Sequence, residues 1–258
     1  MNLDFRVAIP ARHASTRLPG KPLRILAGAP LIEHVYRNAL ASGASEVIIA
    51  TDDERIRTVA EEFGATVCLT SGNHASGTDR LAELVERQGW ADDDIVVNLQ
   101  GDEPLIAPTL IRQVAMGLAE HPTAALATLH TRIETLHELF DPHVVKVVTD
   151  GQGYALYFSR APIPYHRAAF CDNGEPTRLP DDTAYLRHIG LYAYRVATLR
   201  LYPQLPACAA EKAESLEQLR ALWNGMRIFV EAAAEIPPAG VDTEEDLARV
   251  EALLAASY

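Results

Sequence analysis

The sequence predicts an α/β fold in which a mixed, mostly parallel β-sheet is flanked by helices. Short, continuous apolar runs alternate with amphipathic segments, a pattern typical of parallel strands that are buried on both faces. The chain has 258 residues, of which 48% are hydrophobic and 22% charged, as in soluble globular proteins. It contains no internal repeat, low-complexity tract or flexible linker. These observations predict one domain over residues 1–258.

The first half of the chain alternates regularly between strands and helices. The predicted strands cover residues 7–9, 47–50, 66–69 and 95–99, and the predicted helices cover about 31–40, 54–63 and 79–88. In the third helix, Leu81, Leu84 and Val85 have the i, i+3, i+4 spacing of one apolar face. Because parallel sheets bind ligands beyond the carboxyl ends of their strands, the residues that follow each strand are the candidates for chemistry.

The second half is less regular. Residues 144–148 and 155–158 predict a β-hairpin, residues 167–182 an exposed loop, and residues 188–194 and 228–231 two further strands. A helix is predicted over residues 212–223, with Leu216, Leu219 and Trp223 on one stripe. Near the end of the chain, Asp242 or Thr243 would cap a C-terminal helix.

Charge and composition exclude several classes of protein. The chain has 35 Asp and Glu against 23 Lys and Arg, a net charge of -12, whereas nucleic-acid binding requires a basic face. No run of 18 apolar residues is present, so membrane insertion is not expected. Cys68, Cys171 and Cys208 are too few and too far apart to predict disulfides or a zinc site. We therefore expect a cytoplasmic protein.

One loop in this acidic chain is positively charged. Five cations and no acid lie within residues 5–24, and Arg12, Arg17 and Lys21 follow the first strand. Such a loop can bind a small anion, because Arg and Lys neutralise phosphate and Gly20 permits close backbone approach. A solvated basic loop would have the same composition. Neither G-x-x-x-x-G-K-[ST] nor G-x-G-x-x-G is present, which disfavours a P-loop and a dinucleotide site.

Two aspartates could act with this loop. Asp102 follows the fourth strand directly after Gly101, where its carboxylate could hold Mg²⁺ together with water and phosphate oxygens. A turn aspartate is the alternative interpretation of Asp102. A helix cap is the alternative for Asp242.

These segments, together with several others, resemble one enzyme family. The matching blocks include IPAR at 9–12, LPGKPL at 18–23, SGTDR at 76–80, VNLQGDEP at 97–104, VVKVV at 144–148, ALYFSR at 155–160, PIP at 162–164, HIGLYAYR at 188–195, ESLEQLR at 214–220 and GVDTEED at 240–246. In this order they resemble the CMP-Kdo synthetases, or 3-deoxy-manno-octulosonate cytidylyltransferases, among the nucleotidyltransferases. The resemblance covers nearly the whole chain.

The resemblance implies a Rossmann-like sheet of the nucleotide-diphospho-sugar transferase type, with a smaller β-rich lobe that binds the sugar. The implied reaction is the Mg²⁺-dependent transfer of CMP from CTP to Kdo, which releases pyrophosphate and serves lipopolysaccharide biosynthesis. CTP would bind to residues 1–130. The sugar and a second subunit of a homodimer would bind to residues 131–225. Residues 226–258 would close the site and carry a metal ligand.

The resemblance also implies a role for individual residues. Those implied in catalysis are Arg12, Lys21, Asp102 and Asp242, with Asp102 and Asp242 as the metal ligands. Those implied in nucleotide binding are Ala11, Arg12, Ser15, Lys21, Ser76, Gly77, Arg80 and Asp102. Those implied in sugar binding are Gln100, Arg160, His188, Tyr192, Glu217 and Gln218.

The chemistry of this reaction suits such a set of residues. A sugar hydroxyl attacks the α-phosphorus in line while pyrophosphate leaves, so the protein must position groups and neutralise charge. No residue is singled out as a general base. Three alternatives differ in activity: a cytidylyltransferase for sialic acid or amino-substituted Kdo, a nucleotide-binding protein without catalysis, and a dehydrogenase. The missing glycine fingerprint disfavours the last of these.

Overall fold

A nine-stranded mixed sheet forms the centre of the structure, a computed structural model in which residues 3–14, 18–74, 76–170 and 178–255 are described. Seven strands lie in the order β11 (Ile228–Ala232), β7 (Leu126–Arg132), β10 (Leu186–Arg195), β6 (Ile95–Asn98), β1 (Arg6–Ala11), β4 (Glu46–Thr51) and β5 (Thr66–Leu69). Of these described strands, only β10 runs antiparallel to its neighbours. The predicted mixed, mostly parallel sheet is confirmed.

A β-hairpin extends this sheet at one end of β10. Its strands are β8 (Lys146–Thr149) and β9 (Ala155–Ser159), and β8 pairs with Leu186 and Arg187 at the start of β10. The hairpin predicted from residues 144–158 is therefore confirmed. A separate two-stranded sheet contains β2 (Ile25–Leu26) and β3 (Ala29–Pro30). The division of the chain near residues 130 and 225 stays a prediction.

Helices cover both faces of the sheet. They are α1 (Leu31–Ala41), α2 (Glu54–Glu62), α3 (Gly77–Gln88), α4 (Pro108–Glu120), α5 (Leu136–Phe140), α6 (Arg167–Phe170), α7 (Val196–Leu201), α8 (Ala209–Glu214), α9 (Gln218–Trp223) and α10 (Glu244–Ala255). Because successive side chains of a strand point to opposite faces of the sheet, one apolar cluster forms on each face. Val7 and Ile9 belong to the cluster that contains α1 and α4, whereas Ala8 belongs to the cluster that contains α3 and α7.

Two central elements were not identified from the sequence, namely α4 and β7. Helix α4 begins with Pro108 after Ala107, which provides no side-chain cap, and its interior contains Gly117. Strand β7 interrupts its apolar residues with Thr128, His130 and Thr131. Helix α4 nevertheless has an apolar face formed by Leu110, Val114 and Leu118, and its initial proline is itself a helix-start signal, so the sequence did contain the information for α4. In β7 the polar residues conceal the strand pattern.

The helix predicted over residues 212–223 is wrong in its middle. Ser215 adopts the left-handed conformation, with φ of 51°, and separates α8 from α9. Leu216 and Leu219 are buried as predicted, but Trp223 is 68% exposed and does not share their apolar face. The predicted loop at 167–182 is also partly helical, since α6 occupies its start, and residues 171–177 lie outside the described residues.

The start of α10 is capped by Thr243 and not by Asp242. The Thr243 hydroxyl accepts a hydrogen bond from the Asp246 amide at 3.2 Å, and the Asp246 carboxylate accepts one from the Thr243 amide at 3.1 Å. This reciprocal cap leaves the Asp242 carboxylate available for other contacts. No helix in the described part of the chain is long and apolar enough to cross a bilayer.

The turn between β2 and β3 provides a test of backbone strain. Ala27 has φ of 45°, and an alanine Cβ makes this conformation unfavourable. We expect Ala27→Gly to increase the free energy of unfolding by about 0.5 to 1 kcal/mol, as measured by denaturant titration. The same substitution at the exposed, helical Ala252 should decrease it by a similar amount. A loss of stability in Ala27→Gly would contradict this explanation.

Candidate active site

A cleft of about 370 Å³ opens at the carboxyl edge of the parallel strands. It is formed by the segments that follow β1 and β6, by the start of α3 and by the segment that leads into α10. The lining residues are Pro10, Ala11, Arg12, Ala14, Lys21, Pro22, His74, Ser76, Gly77, Arg80, Gln100, Gly101, Asp102 and Asp242. The cleft therefore occupies the place at which sheets of this kind bind ligands.

The basic loop forms one wall of the cleft. Arg12 is exposed directly after β1, and Gly20 has φ of 67° at the start of the 3₁₀ turn Lys21–Leu23. The Gly20 amide donates to the His13 carbonyl at 3.2 Å, which folds the loop back on itself. On the opposite segment, a Cβ at Gly101 would lie 2.9 Å from the Pro10 carbonyl oxygen. Glycine at this position allows the two segments to approach closely.

Lys21, Asp102 and Asp242 meet at the mouth of the cleft. The Lys21 ammonium donates to Asp102 Oδ2 at 2.8 Å and to Asp242 Oδ1 at 3.0 Å. It also donates to the Val241 carbonyl at 2.9 Å, so the ammonium has three acceptors. The Lys21 side chain is 12% exposed, whereas the carboxylates remain 38% and 47% exposed. Both carboxylates thus surround one cation and remain accessible from the cleft.

The main chain brings the two aspartates together. The Val241 amide donates to the Asp102 carbonyl at 2.9 Å, which fixes the segment before α10 against the loop after β6. Because Thr243 caps α10, the Asp242 side chain can turn toward Lys21. The contacts of Asp102 and Asp242 with Lys21 explain these residues better than the turn and cap alternatives do.

The same cluster shifts the pKa values of two groups. Burial alone would lower the pKa of Lys21, but the charges and hydrogen bonds of Asp102 and Asp242 outweigh it and raise that pKa. Burial, with the adjacent charges of Asp102 and Asp242, raises the pKa of Glu103 to about 8. Glu103 was not identified from the sequence. The only available signal was that it directly follows Asp102.

The start of α3 forms the opposite wall. The Ser76 hydroxyl caps the helix by accepting a hydrogen bond from the Asp79 amide at 3.1 Å. Arg80 is buried, and its guanidinium donates to the Thr70 hydroxyl at 2.5 Å and lies 3.3 Å from the Asp52 carboxylate. The structure thus brings all the predicted nucleotide-binding residues to the cleft except Ser15, which lies outside the described residues.

His74 also lines this wall, although sequence reasoning missed it. Its imidazole forms a hydrogen bond with the carboxylate of Glu83 on α3. Glu83 also accepts hydrogen bonds from the Ser71 amide at 2.8 Å and from Arg87 Nε at 2.7 Å. A single carboxylate thereby holds the segment before α3 in place. The sequence signal for His74 was only its position two residues before the SGTDR block.

The predicted sugar-binding residues are distributed more widely. Gln100 lines the cleft, and Glu217 reaches it through a hydrogen bond from the Ser76 hydroxyl at 3.1 Å. Burial raises the pKa of Glu217, while hydrogen bonds from Thr78 and Ser76 act in the opposite direction. Gln218 is buried at the start of α9.

His188 and Tyr192 contact each other on β10, with ring centroids 5.3 Å apart. His188 Nε2 lies 3.1 Å from the Thr128 hydroxyl, and its ring also contacts Phe158. Desolvation in this aromatic environment lowers the pKa of His188 to about 3 and raises the pKa of Tyr192. These two side chains pack against each other and are not among the residues that line the cleft.

Arg160 lies at the end of β9 and is not among the lining residues of the cleft. Its Nε donates to the Glu214 carbonyl at 2.7 Å and its Nη1 to the Pro142 carbonyl at 2.8 Å. Arg160 therefore connects the segment before β8 to the turn that precedes Glu217 and Gln218.

A basic loop and paired carboxylates at the carboxyl edge of a mixed α/β sheet define the class of protein: an α/β protein whose ligand cleft lies at the ends of its parallel strands. The chain belongs to the cytidylyltransferase family, whose family model matches residues 7–228. It is similar to the 3-deoxy-manno-octulosonate cytidylyltransferase of Pasteurella multocida, at 54% identity over 97% of this chain and 98% of the relative. The enzyme of the same name from Thioalkalivibrio sulfidiphilus is 56% identical over 98% and 100% of the two chains.

Solved structures give the same grouping. The structure of CMP:2-keto-3-deoxy-manno-octonic acid synthetase complexed with CTP matches with a TM-score of 0.88 and 42% identity, over 99% of this chain and 100% of that one. A cytidylyltransferase from Leptospira borgpetersenii matches with a TM-score of 0.62 and 16% identity, over 98% and 87% of the two chains. The second likeness concerns the fold alone. The family resemblance inferred from the sequence is confirmed.

The low pKa of His188 predicts a specific acid sensitivity. From its ordinary pKa of 6.5 down to about 3, the unfolded chain binds a proton that the folded chain does not, so stability decreases as the pH falls. We expect the loss of unfolding free energy between about pH 7 and about pH 5 to be smaller in His188→Gln than in the wild type. The same substitution at the exposed His137 should leave this loss unchanged. Equal losses in wild type and His188→Gln would show that His188 is not desolvated.

Proposed function

We propose that the protein transfers CMP from CTP to the anomeric hydroxyl of Kdo, which produces CMP-Kdo and pyrophosphate. The observation that carries this proposal is the identity of 54% to 56%, over nearly the whole chain, with proteins named 3-deoxy-manno-octulosonate cytidylyltransferase. The cleft supports it independently, because it combines an anion-binding loop with two carboxylates. The reaction belongs in the cytoplasm and serves lipopolysaccharide biosynthesis.

The residues of the basic loop act on the triphosphate. Arg12 and Lys21 lie on the same wall, and the Arg12 guanidinium neutralises the negative charge that develops on the departing pyrophosphate. Lys21 contributes when its ammonium exchanges a contact with Asp102 or Asp242 for a phosphate oxygen. Ala11, Ser76, Gly77 and Arg80 border the space beside them and orient the nucleotide. The catalytic contribution of the protein is positioning and charge neutralisation, so no covalent nucleophile is required.

Asp102 and Asp242 fit a bound Mg²⁺. Their carboxylates already surround one cation and remain accessible, and Mg²⁺ commonly uses one or two carboxylates together with waters and phosphate oxygens. With two protein carboxylates as ligands, water and substrate oxygens would complete the coordination shell. When bound, Mg²⁺ would neutralise the α-phosphate and lower the pKa of the attacking hydroxyl.

The sugar lies beyond the nucleotide in this proposal. Gln100 borders the cleft directly, and Glu217 is connected to it by the Ser76 hydroxyl. Arg160 supplies a cation for the sugar carboxylate and Glu217 and Gln218 bind sugar hydroxyls, while His188 and Tyr192 belong to the surrounding structure. Arg160 would serve other acidic sugars equally well. Steady-state rates with Kdo, amino-substituted Kdo and sialic acid test this point, and a strong preference for another sugar would contradict the assignment to Kdo.

Asp102→Asn tests the catalytic arrangement. The amide keeps the shape of the side chain but removes the charge that a metal ion requires, so we expect turnover to fall on the order of 100-fold or more. The measurement is the release of pyrophosphate that depends on both CTP and Kdo. Asp93→Asn is the control, since Asp93 is exposed before the opposite end of β6. Normal turnover in Asp102→Asn would contradict this role, and no release by the wild type would contradict the proposed function.

We also propose that the protein is a homodimer in solution. Leu156 and Tyr157 on β9 are 62% and 37% exposed, and Trp223 on the adjacent α9 is 68% exposed. Among the described strands, β9 forms a ladder only with β8, and directly before it Tyr154 forms a single bridge to Phe229 of β11. A second copy of the chain would cover these apolar side chains, and such exposed patches commonly mark interfaces.

Trp223→Glu tests the homodimer. A charge in an apolar interface is costly, so we expect the variant to have the mass of a monomer in light scattering at concentrations where the wild type is a dimer. Ile236→Glu is the control, because Ile236 is 77% exposed and lies outside this patch. An unchanged dimer in Trp223→Glu, or a monomeric wild type, would contradict the proposal.

A further inference from the structure

Glu214 lies at the centre of a group of hydrogen bonds between the β8–β9 hairpin and the α8–α9 turn. Its Oε1 accepts from the Ser159 hydroxyl at 2.6 Å, and its Oε2 accepts from the Arg160 amide at 2.9 Å. Its own carbonyl accepts from Arg160 Nε at 2.7 Å. Ser159 is 2% exposed, so the carboxylate reaches a buried partner. One residue therefore holds both the main chain and the guanidinium of Arg160.

The segment before β8 also contacts the Arg160 guanidinium, and Lys146 binds to the same segment. Arg160 Nη1 donates to the Pro142 carbonyl at 2.8 Å, and the buried Lys146 ammonium donates to the carbonyls of Asp141 at 2.9 Å and Val144 at 2.6 Å. Two of the five N–H groups of the guanidinium thus bind main-chain carbonyls, and other donors remain for a carboxylate. The Arg160 side chain is therefore fixed in position and still has N–H donors with which to bind a carboxylate.

Glu214 also determines where the next residues lie. Ser215 follows it in the left-handed conformation, with φ of 51°, and the Leu216 amide donates to the Glu211 carbonyl at 3.2 Å. Three residues after Glu214, the Glu217 carboxylate accepts the Ser76 hydroxyl at the wall of the cleft. The Glu217 carbonyl accepts the Tyr202 hydroxyl at 2.7 Å. A fixed turn therefore connects the Arg160 contacts to the nucleotide cleft.

We propose that Glu214 is a positioning residue for the acidic sugar: it sets Arg160 at a fixed place relative to Glu217 and Gln218. The proposal rests on the proposed function, in which Arg160 binds the sugar carboxylate. Glu214 itself does not contact the sugar. Its carboxylate fixes the Arg160 main chain and Ser159, from which the Arg160 side chain extends, and its main-chain carbonyl accepts from the guanidinium. Its backbone also begins the turn that carries the other two residues. An acidic sugar then meets a cation and hydroxyl-binding groups at a spacing that Glu214 maintains.

Glu214→Ala tests this role. The variant loses both side-chain hydrogen bonds, so Arg160 is less well oriented, and we expect KM for Kdo to rise about tenfold or more. KM for CTP and kcat at saturating Kdo should remain within about twofold of the wild type. A purely structural defect would lower the fraction of active enzyme, and hence kcat, without raising KM for one substrate. In Glu214→Gln the amide oxygen still accepts one hydrogen bond, so this variant should regain part of the affinity for Kdo.

Glu211→Gln is the matched control, because Glu211 lies on the same helix and pairs with Arg220 at 2.5 Å but does not contact Arg160. It should leave KM for Kdo unchanged. Should Glu214→Ala not fold, Ser159→Ala removes one partner of Glu214 and should raise KM for Kdo to a smaller extent. An unchanged KM for Kdo in Glu214→Ala and Ser159→Ala, or an equal rise in KM for CTP, would overturn the proposal. A wild type that does not use Kdo would instead overturn the proposed function.

Discussion

The contact of one ammonium with two carboxylates organises this molecule. Lys21 comes from the first loop, Asp102 from the middle of the chain and Asp242 from near its end, and they meet within hydrogen-bond distance. Two like charges at this separation would repel each other without a cation between them. The position of the C-terminal segment therefore depends on a positive charge at the cleft. In the proposed function, the same requirement would allow the pair to hold a divalent ion together with a polyphosphate.

The sheet supplies the frame for this contact. Because β1, β4, β5 and β6 are parallel, their carboxyl ends meet at one edge, and the segments that follow them form a continuous wall. Gly101 permits the close approach of two of these segments, and the Ser76 cap begins a helix at the same edge. The basic loop and the start of α3 therefore border the same cleft, although the protein as a whole is strongly acidic.

Local sequence patterns predicted much of the fold but only part of the candidate site. Hydrophobic periodicity predicted most strands and helices. Helix α4 was missed although its apolar residues have helical spacing, and β7 was missed because polar residues interrupt its apolar run. The helical spacing of residues 212–223 continues across Ser215, so the left-handed break there cannot be seen in the sequence. The basic loop and Asp102 were candidates on charge alone. No local pattern indicates their pairing with Asp242, some 140 residues later. The family resemblance supplied that pairing, together with the sugar-binding residues that no spacing rule indicates, and the structure brings the two aspartates together.

Strand β10 pairs with different strands at its two ends. Its last residues pair with β6, where Tyr192 lies opposite Asn98, and its first residues pair with β8. Between these ends the pairing with β7 shifts in register, from Ile189 to Tyr192. Such an irregularity bends a strand and increases its twist. The hairpin can therefore be inclined to the central ladder, and a bend within a single strand connects it to the edge of the sheet that carries the cleft.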